Sequence, residues 1–156
     1  MHIREAREED AEAACGIVRR SITELCLADH RGDASTLAQW LANKTPDNVR
    51  RWIRGPESHI LVATDGGNIV GVGAIQRTGR IVLNYVSPDA RFRGVSKALI
   101  AALEVKAAEL GVSECTLEST ATARRLYLAC GFSDKGPPTL GFGSNPCYPM
   151  AKQIMK

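Results

Sequence analysis

The chain has 156 residues, of which 44% are hydrophobic and 24% are charged, and its formal net charge is +3. These values are typical of a folded globular protein, and they exclude a disordered chain, a collagen-like chain and a small disulfide-held scaffold. The small positive charge gives no reason to expect a non-specific nucleic-acid-binding protein, although it is compatible with a local anion site.

The first third of the chain predicts one short strand followed by helices. Residues 2–6 are the strand, and an acidic run at 8–10 comes next, where the N-terminal end of a helix favours carboxylates. From residue 11 to residue 25, apolar residues recur at helical spacing. Two shorter helices follow, and the second begins at Thr45-Pro46, a capping residue followed by proline in the first turn.

The middle of the chain predicts a meander of three strands. Residues 59–65 and 69–76 are separated by a short Gly-Gly-Asn turn, which is typical of a β-hairpin. A second turn follows, and residues 80–88 form the third strand, which ends at Pro88. We therefore expect these three strands to be neighbours in one sheet.

The last part of the chain alternates helices with strands. An Ala- and Leu-rich segment, residues 96–110, is the strongest helix and is stopped by Gly111. The remaining segments are a strand, a helix and two closing strands: 114–118, 120–130, 132–135 and 147–154. Residues 136–146 are rich in Gly and Pro and predict a surface loop. The order β-α-α-(α)-β-β-β-α-β-α-β-β predicts an α/β fold, a mixed sheet with helices on both faces.

The length and the absence of targeting signals indicate one cytoplasmic domain over residues 1–156. No stretch approaches the ~20 apolar residues that a membrane span requires, and the charged N-terminus lacks the apolar core of a secretory signal. Five cysteines are widely spaced without a CxxC pair, so we expect reduced thiols and no metal site.

The junction between the third meander strand and the long helix predicts an anion site. The first backbone N–H groups of a helix lack internal acceptors and carry partial positive charge, so they can bind phosphate. Gly94 allows close approach of an anion, while Arg91, Arg93 and Lys97 add positive charge. The same residues would also suit an ordinary strand-to-helix turn, so this segment does not decide between the two interpretations.

Two motifs together resemble the GNAT (GCN5-related N-acetyltransferase) family. Arg91-x-x-Gly94-x-Ser96 is similar to the family's R/Q-x-x-G-x-G/A sequence, which holds the pyrophosphate of acetyl-CoA through backbone amides. Residues 123–132, ARRLYLACGF, are similar to the family's A-x-x-L/F-Y-x-x-x-G-F segment. The first motif is neither a Walker loop nor a dinucleotide-binding fingerprint.

The resemblance implies acetyl-CoA as cosubstrate, without a metal. The chain departs from the usual family residues at Phe92, Ser96 and Thr120, where Gly, Gly or Ala, and Asn are common. The residues expected to bind the cosubstrate are Tyr85, Val86, Arg91, Arg93, Gly94, Val95, Ser96, Lys97, Thr120 and Ala123.

The resemblance also implies that an amine attacks the thioester directly, in a ternary complex. Tyr127 matches the family's proton donor to the departing thiolate, and an ordinary tyrosine pKa near ~10 suits a thiol pKa near ~8.5. A backbone N–H at a bulge in strand 80–88, near Tyr85 or Val86, is expected to stabilise the thioester oxygen.

The base and the acceptor are less determined by the sequence. Glu118, at the end of a strand beside the expected cleft, is the first candidate for the general base, and a water chain to the surface is the alternative. The acceptor is expected to meet residues 21–52 and the loop 136–146. The side chains predicted to contact it are Glu24, Asp29, His30 and Asn84, of which the acidic ones favour a cationic amine.

Three functions remain open. The leading one is N-acetylation of a primary amine, on a small molecule or a peptide. A non-catalytic acyl-CoA-binding module is the second, because Ser96 and Thr120 depart from the family. The third is a toxin-like acetyltransferase acting on aminoacyl-tRNA, which requires a broad basic face. A net charge of +3 does not indicate such a face, so a nucleic-acid partner is not expected. A homodimer is compatible with the family, and no membrane partner is expected.

Overall fold

Strands and helices alternate along the chain much as its apolar patterns indicate, in a computed structural model that describes residues 1–141 and 145–155. The strands are β1 His2–Glu5, β2 Ser58–Asp65, β3 Asn68–Gln76, β4 Ile81–Val86, β5 Glu114–Ser119, β6 Ser133–Asp134, β7 Thr139–Leu140 and β8 Pro146–Gln153. The helices are α1 Ala11–Leu25, α2 Leu27–His30, α3 Ala34–Leu41, α4 Pro46–Arg54, α5 Val95–Glu109 and α6 Arg124–Ala129, with 3₁₀ turns at Glu8–Asp10 and Pro88–Ala90.

Side-chain caps begin two of the helices, α3 and α4. The carboxylate of Asp33 accepts a hydrogen bond from the backbone N–H of Thr36 at 2.9 Å and begins α3. The hydroxyl of Thr45 accepts one from the N–H of Asn48 at 3.1 Å and begins α4, with proline in the first turn as the sequence predicts. Each cap supplies an acceptor to an N–H that has none within its helix.

The sheet residues alternate between two hydrophobic cores. Strands β1, β2, β3 and β4 form one antiparallel sheet in that order. Ile60 and Val62 of β2 pack beneath α1, α3 and α4, whereas Leu61 and Ala63 of the same strand pack against α5. Because successive side chains of a strand point to opposite faces, one strand can serve both layers. The predicted α/β fold with helices on both faces is therefore confirmed.

Small residues of β3 bring α5 close to the sheet. A Cβ added at Gly71 would lie 2.7 Å from Cγ1 of Val95 and 2.9 Å from Cδ1 of Leu99, closer than carbon atoms can approach. The start of α5 therefore sits directly on β3 because position 71 carries no side chain.

Strands β4 and β5 meet at one end and then separate. A parallel bridge joins Arg80 to Thr116, and the N–H of Thr116 donates to the carbonyl oxygen of Gly79 at 3.0 Å. Beyond this bridge, within residues 1–141 and 145–155, β4 pairs only with β3, and β5 pairs only with β8. The mixed sheet that the sequence predicts consists of two antiparallel sheets joined by one parallel bridge, and a cleft opens between β4 and β5.

The C-terminal segments differ from the predictions in length. The helix predicted over 120–130 is confined to α6, because the chain first makes a turn at residues 121–123. The predicted loop 136–146 contains the short strand β7, which pairs with β8. The part of that loop at 142–144 lies outside the described residues.

No helix in the described part of the chain is long and apolar enough to cross a membrane.

Candidate active site

The cleft between β4 and β5 has a volume of about 650 Å³ and extends from the start of α5 to the end of α1. Its walls are the facing edges of the two strands, and Tyr127 of α6 lines it between them. The turn before α5 forms one end, and Ser21, Leu25 and Cys26 form the other. The two motifs singled out in the sequence therefore open into the same space.

The N-terminus of α5 faces this cleft with open backbone amides. Gly94, with φ +77°, precedes the helix, and the first intrahelical hydrogen bond runs from the N–H of Ala98 to the Gly94 carbonyl oxygen at 3.0 Å. The amides of Val95, Ser96 and Lys97 therefore precede the first internal bond, and all three residues line the cleft. A Cβ at Gly94 would meet no atom within 4 Å, so the space beside the residue that precedes these amides is open. This arrangement fits a pyrophosphate group.

Two of the three predicted basic side chains belong to the cleft. Arg91 and Lys97 line it. Arg93 instead pairs with Asp65 at the β2–β3 turn, with an Nη2–Oδ2 distance of 2.5 Å. The hydrogen bond from Arg93 lowers the pKa of the Asp65 carboxyl. The prediction that Arg93 contributes to the anion site is not supported by this placement, because its guanidinium is held by a carboxylate on another turn.

Tyr127 is buried, with 7% of its surface exposed, and Asn84 of β4 faces it. The Nδ2 amide of Asn84 donates a hydrogen bond to the phenol oxygen of Tyr127 at 3.3 Å. Burial raises the pKa of Tyr127, and the hydrogen bond from Asn84 acts in the opposite direction. Because Asn84 is the donor, the phenol keeps its own proton available for another acceptor.

The side chain of Tyr85 is held on the face of the sheet that α1, α3 and α4 cover. The indole Nε1 of Trp40 donates to its phenol oxygen at 3.2 Å, and burial raises the pKa of this tyrosine. At Tyr85, β4 therefore contributes its backbone to the cleft and not the bonded phenol group. The N–H of Ser87 donates to the Val70 carbonyl oxygen of β3 at 2.8 Å, so by alternation the N–H of Val86 points away from β3, toward the cleft.

The bulge of β4 does not lie where the sequence-based reasoning put it. The register with β3 shifts between Ala74 and Ile75, opposite Val82. Tyr85 and Val86 are in regular register with β3, so the expectation of a bulge near them is wrong. The outward N–H of Val86 results from ordinary strand alternation at an unpaired edge.

Thr120 and Ala123 line the cleft and are bonded to one another. The Thr120 hydroxyl oxygen accepts a hydrogen bond from the N–H of Ala123 at 3.1 Å, which closes the turn before α6. The hydroxyl hydrogen of Thr120 is not used in this bond and can be donated to a ligand carbonyl.

The candidate carboxylates lie in different environments. Glu118 lines the cleft and is exposed, with a carboxylate oxygen 3.5 Å from the guanidinium of Arg80. Glu24 is exposed on α1, pairs with Arg20 at 3.1 Å and is not part of the cleft lining. The expectation that Glu24 contacts the acceptor therefore lacks structural support.

His30, predicted to contact the acceptor, is buried, and its ring packs at the junction between α1 and α2. Its Nε2 lies 3.1 Å from the carbonyl oxygen of Ile22 and 3.2 Å from that of Thr23. Its Nδ1 accepts a hydrogen bond from the N–H of Gly32 at 3.1 Å. Both ring nitrogens are therefore used within the fold, and His30 does not line the cleft.

Asp29 is buried beside the cleft and joins α2 to the turn before α6. Its Oδ1 accepts a hydrogen bond from the N–H of Thr122, a cleft residue, at 3.1 Å. Its Oδ2 is buried and has no hydrogen-bond partner among the described residues. Asp29 thus ties α2 to the cleft residue Thr122 from outside the cleft lining.

The end of α1 belongs to the stretch 21–52 that was expected to meet the acceptor, but the sequence did not indicate which of its side chains would line the cleft. Ser21, Leu25 and Cys26 line the cleft there, and burial raises the pKa of the Cys26 thiol to about 12. Their helical periodicity predicts a core-facing stripe, and no local signal distinguishes core from cleft. Within the described ranges, no group of three or more His, Cys, Asp or Glu side chains could hold a metal ion.

Comparison with protein families assigns residues 26–154 to the model of the acetyltransferase (GNAT) domain. Among curated proteins, none matches the chain significantly.

Solved structures share the whole fold at low sequence identity. A GCN5-related N-acetyltransferase from Rhodopseudomonas palustris is 24% identical with a TM-score of 0.84, and the match covers 97% of this chain and 94% of that one. The PaiA N-acetyltransferase of Thermoplasma acidophilum, solved with coenzyme A, is 18% identical with a TM-score of 0.79 over 97% and 98% of the chains. YncA of Salmonella typhimurium, solved with acetyl-CoA, is 19% identical with a TM-score of 0.78 over 100% and 95%.

Proposed function

The chain belongs to the GNAT acetyltransferase family, and on that premise we propose that its residues 1–156 form one domain that transfers an acetyl group from acetyl-CoA to a primary amine. The amine attacks the thioester directly, in a ternary complex. The observation that carries this proposal is the shared cleft: the open amides of α5 and the phenol of Tyr127 line the same space.

The amides at the start of α5 bind the pyrophosphate of the cosubstrate. They combine free N–H donors with the positive end of the helix, and Lys97 and Arg91 add charge at the same place. The unobstructed position 94 allows the phosphates to approach the backbone. When bound, acetyl-CoA supplies an activated thioester, and the pantetheine arm follows the separated edges of β4 and β5, where Thr120 can donate its hydroxyl hydrogen.

The N–H of Val86 holds the thioester oxygen. It points into the cleft from an unpaired strand edge, and a fixed donor in a site shielded from water stabilises the negative charge that develops on that oxygen. The side chain of Tyr85 supports this position, because its bond to Trp40 fixes the neighbouring residue from the helical side.

Tyr127 donates the proton that the departing thiolate requires. Its raised pKa keeps the phenol protonated at neutral pH. Asn84 directs that proton, because its N–H occupies a lone pair of the phenol oxygen and leaves the O–H free to point at the sulfur. The same N–H stabilises the phenolate once the proton has moved. Asn84 is therefore a positioning residue for Tyr127, rather than only a contact for the acceptor.

Glu118 is the carboxylate best suited to act as the general base. Of the acidic side chains in the described part of the chain, it alone lines the cleft. The acceptor enters from the end formed by Ser21, Leu25 and Cys26, which the buried Asp29 braces through Thr122.

The test is release of free thiol from acetyl-CoA in the presence of a panel of amines: small polyamines, aminoglycosides, peptides with a free N-terminus and peptides with an internal lysine. We expect at least one class to accelerate thiol release above the rate of hydrolysis. Coenzyme A binding without acceleration by any amine would instead support the non-catalytic module, and absence of coenzyme A binding would refute the proposal.

A further inference from the structure

Phe92 combines an exposed aromatic side chain with an unfavourable backbone conformation. It is the most exposed large hydrophobic side chain in the described part of the chain, with 92% of its surface exposed. Its backbone lies in the left-handed region, with φ +62°, which glycine or asparagine adopts at lower cost than phenylalanine. Neither feature is explained by packing within the fold.

The ring stands at the outer end of the cleft, beside the open amides of α5. Phe92 and Arg91 both line the cleft, and the Arg91 guanidinium carbon lies 4.7 Å from the centroid of the Phe92 ring. The 92% exposure of the side chain shows that most of the ring surface is still accessible.

The direction of the cosubstrate follows from the difference in burial between Tyr127 and the turn before α5. Tyr127 is buried, so the pantetheine arm runs inward from the α5 amides. The nucleotide attached to the other side of the pyrophosphate must then extend outward, to the exposed end where Phe92 lies. A purine base presents a flat π-surface that stacks on aromatic rings.

We infer that Phe92 is a stacking platform for the adenine base of coenzyme A, an inference that rests on the proposed function of the cleft as an acetyl-CoA site. Arg91 lies over one face of the ring, so the base stacks on the opposite face, and its guanidinium supplies charge near the phosphates. The left-handed backbone at position 92 presents the ring outward, so both the strained backbone and the exposed ring serve binding.

The test compares coenzyme A affinity, by isothermal titration calorimetry, for the wild type, Phe92→Asn and Phe92→Tyr. Asparagine tolerates the left-handed backbone without offering a ring, so we expect Phe92→Asn to lower the affinity by about 5- to 50-fold. Phe92→Tyr keeps the ring and stays within about twofold of the wild type. Val105→Gln removes an exposed apolar side chain from the middle of α5, outside the cleft, and serves as the matched control.

A second readout uses etheno-coenzyme A, whose modified adenine is fluorescent. In the wild type we expect acrylamide to quench the bound base less than the free base, and in Phe92→Asn to quench it as the free base. Full acrylamide access in the wild type, or unchanged affinity in Phe92→Asn, would overturn the inference while leaving the proposed function intact. A change in sedimentation with unchanged affinity would assign the ring to contact with a second copy of the chain. Failure of the wild type to bind coenzyme A would remove the proposed function and the inference together.

Discussion

Asn84 and Tyr127 are 43 residues apart in the chain, and the Nδ2 of one lies 3.3 Å from the phenol oxygen of the other. The bond crosses the gap between β4 and α6 at the point where the strand edge is unpaired. Because the amide is the donor, the phenol oxygen accepts and the proton of Tyr127 is not used in this bond, so the direction of the hydrogen bond can be tested.

Replacing Asn84 by Leu removes the donor at similar volume. We expect kcat to fall by about 10- to 100-fold, because a hydrogen bond to the phenolate form is lost, while the dissociation constant of coenzyme A changes little. Steady-state kinetics with calorimetry would separate the two effects.

Asn84→Asp tests the direction of the same bond. A carboxylate can only accept, so it draws the phenol proton away from the cleft and activity falls even though a hydrogen bond remains. Full activity of Asn84→Asp at neutral pH would contradict the positioning role.

Tyr127→Phe should lower kcat by about 100-fold or more while leaving coenzyme A affinity nearly unchanged, because only the proton donor is lost. Tyr148→Phe removes a phenol outside the cleft and serves as the control.

The pH dependence of the wild type follows from the same tyrosine. A proton donor works in its protonated form, and burial raises the pKa of Tyr127 above its ordinary value. Activity should therefore show no alkaline loss from this group below pH ~10. A descending limb that begins near pH 8 and is absent in Tyr127→Phe would contradict the shift.

Gly94→Val should weaken coenzyme A binding by about tenfold or more, because the added side chain enters the space above the α5 amides. Gly111→Val is the matched control: its φ of +79° is close to the +77° of Gly94, and neither added Cβ meets an atom within 4 Å. Both variants should lose similar thermal stability through backbone strain, and only Gly94→Val should lose affinity. Equal coenzyme A affinity in the two variants would show that the phosphates bind elsewhere.

Lys44→Met should raise the melting temperature at pH 7. The Lys44 residue is buried, its ammonium donates to the Oδ1 of Asn43 at 2.6 Å, and burial lowers its pKa. Where the folded pKa lies below the unfolded value of ~10.5, the unfolded chain binds more protons, so the charge penalty is present at neutral pH and shrinks as pH rises.

Calorimetry of Lys44→Met and wild type at several pH values checks this sign. The stability advantage of the variant should decrease between neutral pH and pH ~10. Lys135→Met, which removes a lysine that pairs with Glu114 at 2.9 Å on the surface, should show no such advantage. A Lys44→Met protein that is less stable than the wild type at pH 7 would contradict the expected cost of the buried charge.

Local chemistry made much of this protein predictable from its sequence. Periodicity within a few residues predicts the meander and the long helix α5. Capping predicts the start of α4 at Thr45-Pro46, and backbone conformation predicts the glycine before α5. The two motifs indicated the family, and with it how these elements are arranged. The family and the α/β fold could therefore be identified before any coordinates.

Side-chain partners distant in the chain could not be predicted in this way. Arg93 has the same charge and nearly the same position in the sequence as Arg91, yet Asp65, 28 residues earlier, holds it outside the cleft. The sequence around His30 is typical of a loop, yet in the fold its ring is buried against the backbone carbonyl groups of Ile22 and Thr23 at the end of α1.

The sequence by itself determined which segments become strands and helices and where a helix start is open to an anion, because these properties arise from contacts within a turn or two. Only the tertiary structure decided that β4 and β5 separate, which side chains of α1 line the resulting cleft and that Asn84 faces Tyr127. Those relationships depend on how whole layers pack, since the distance between two side chains far apart in the chain is set by every element between them.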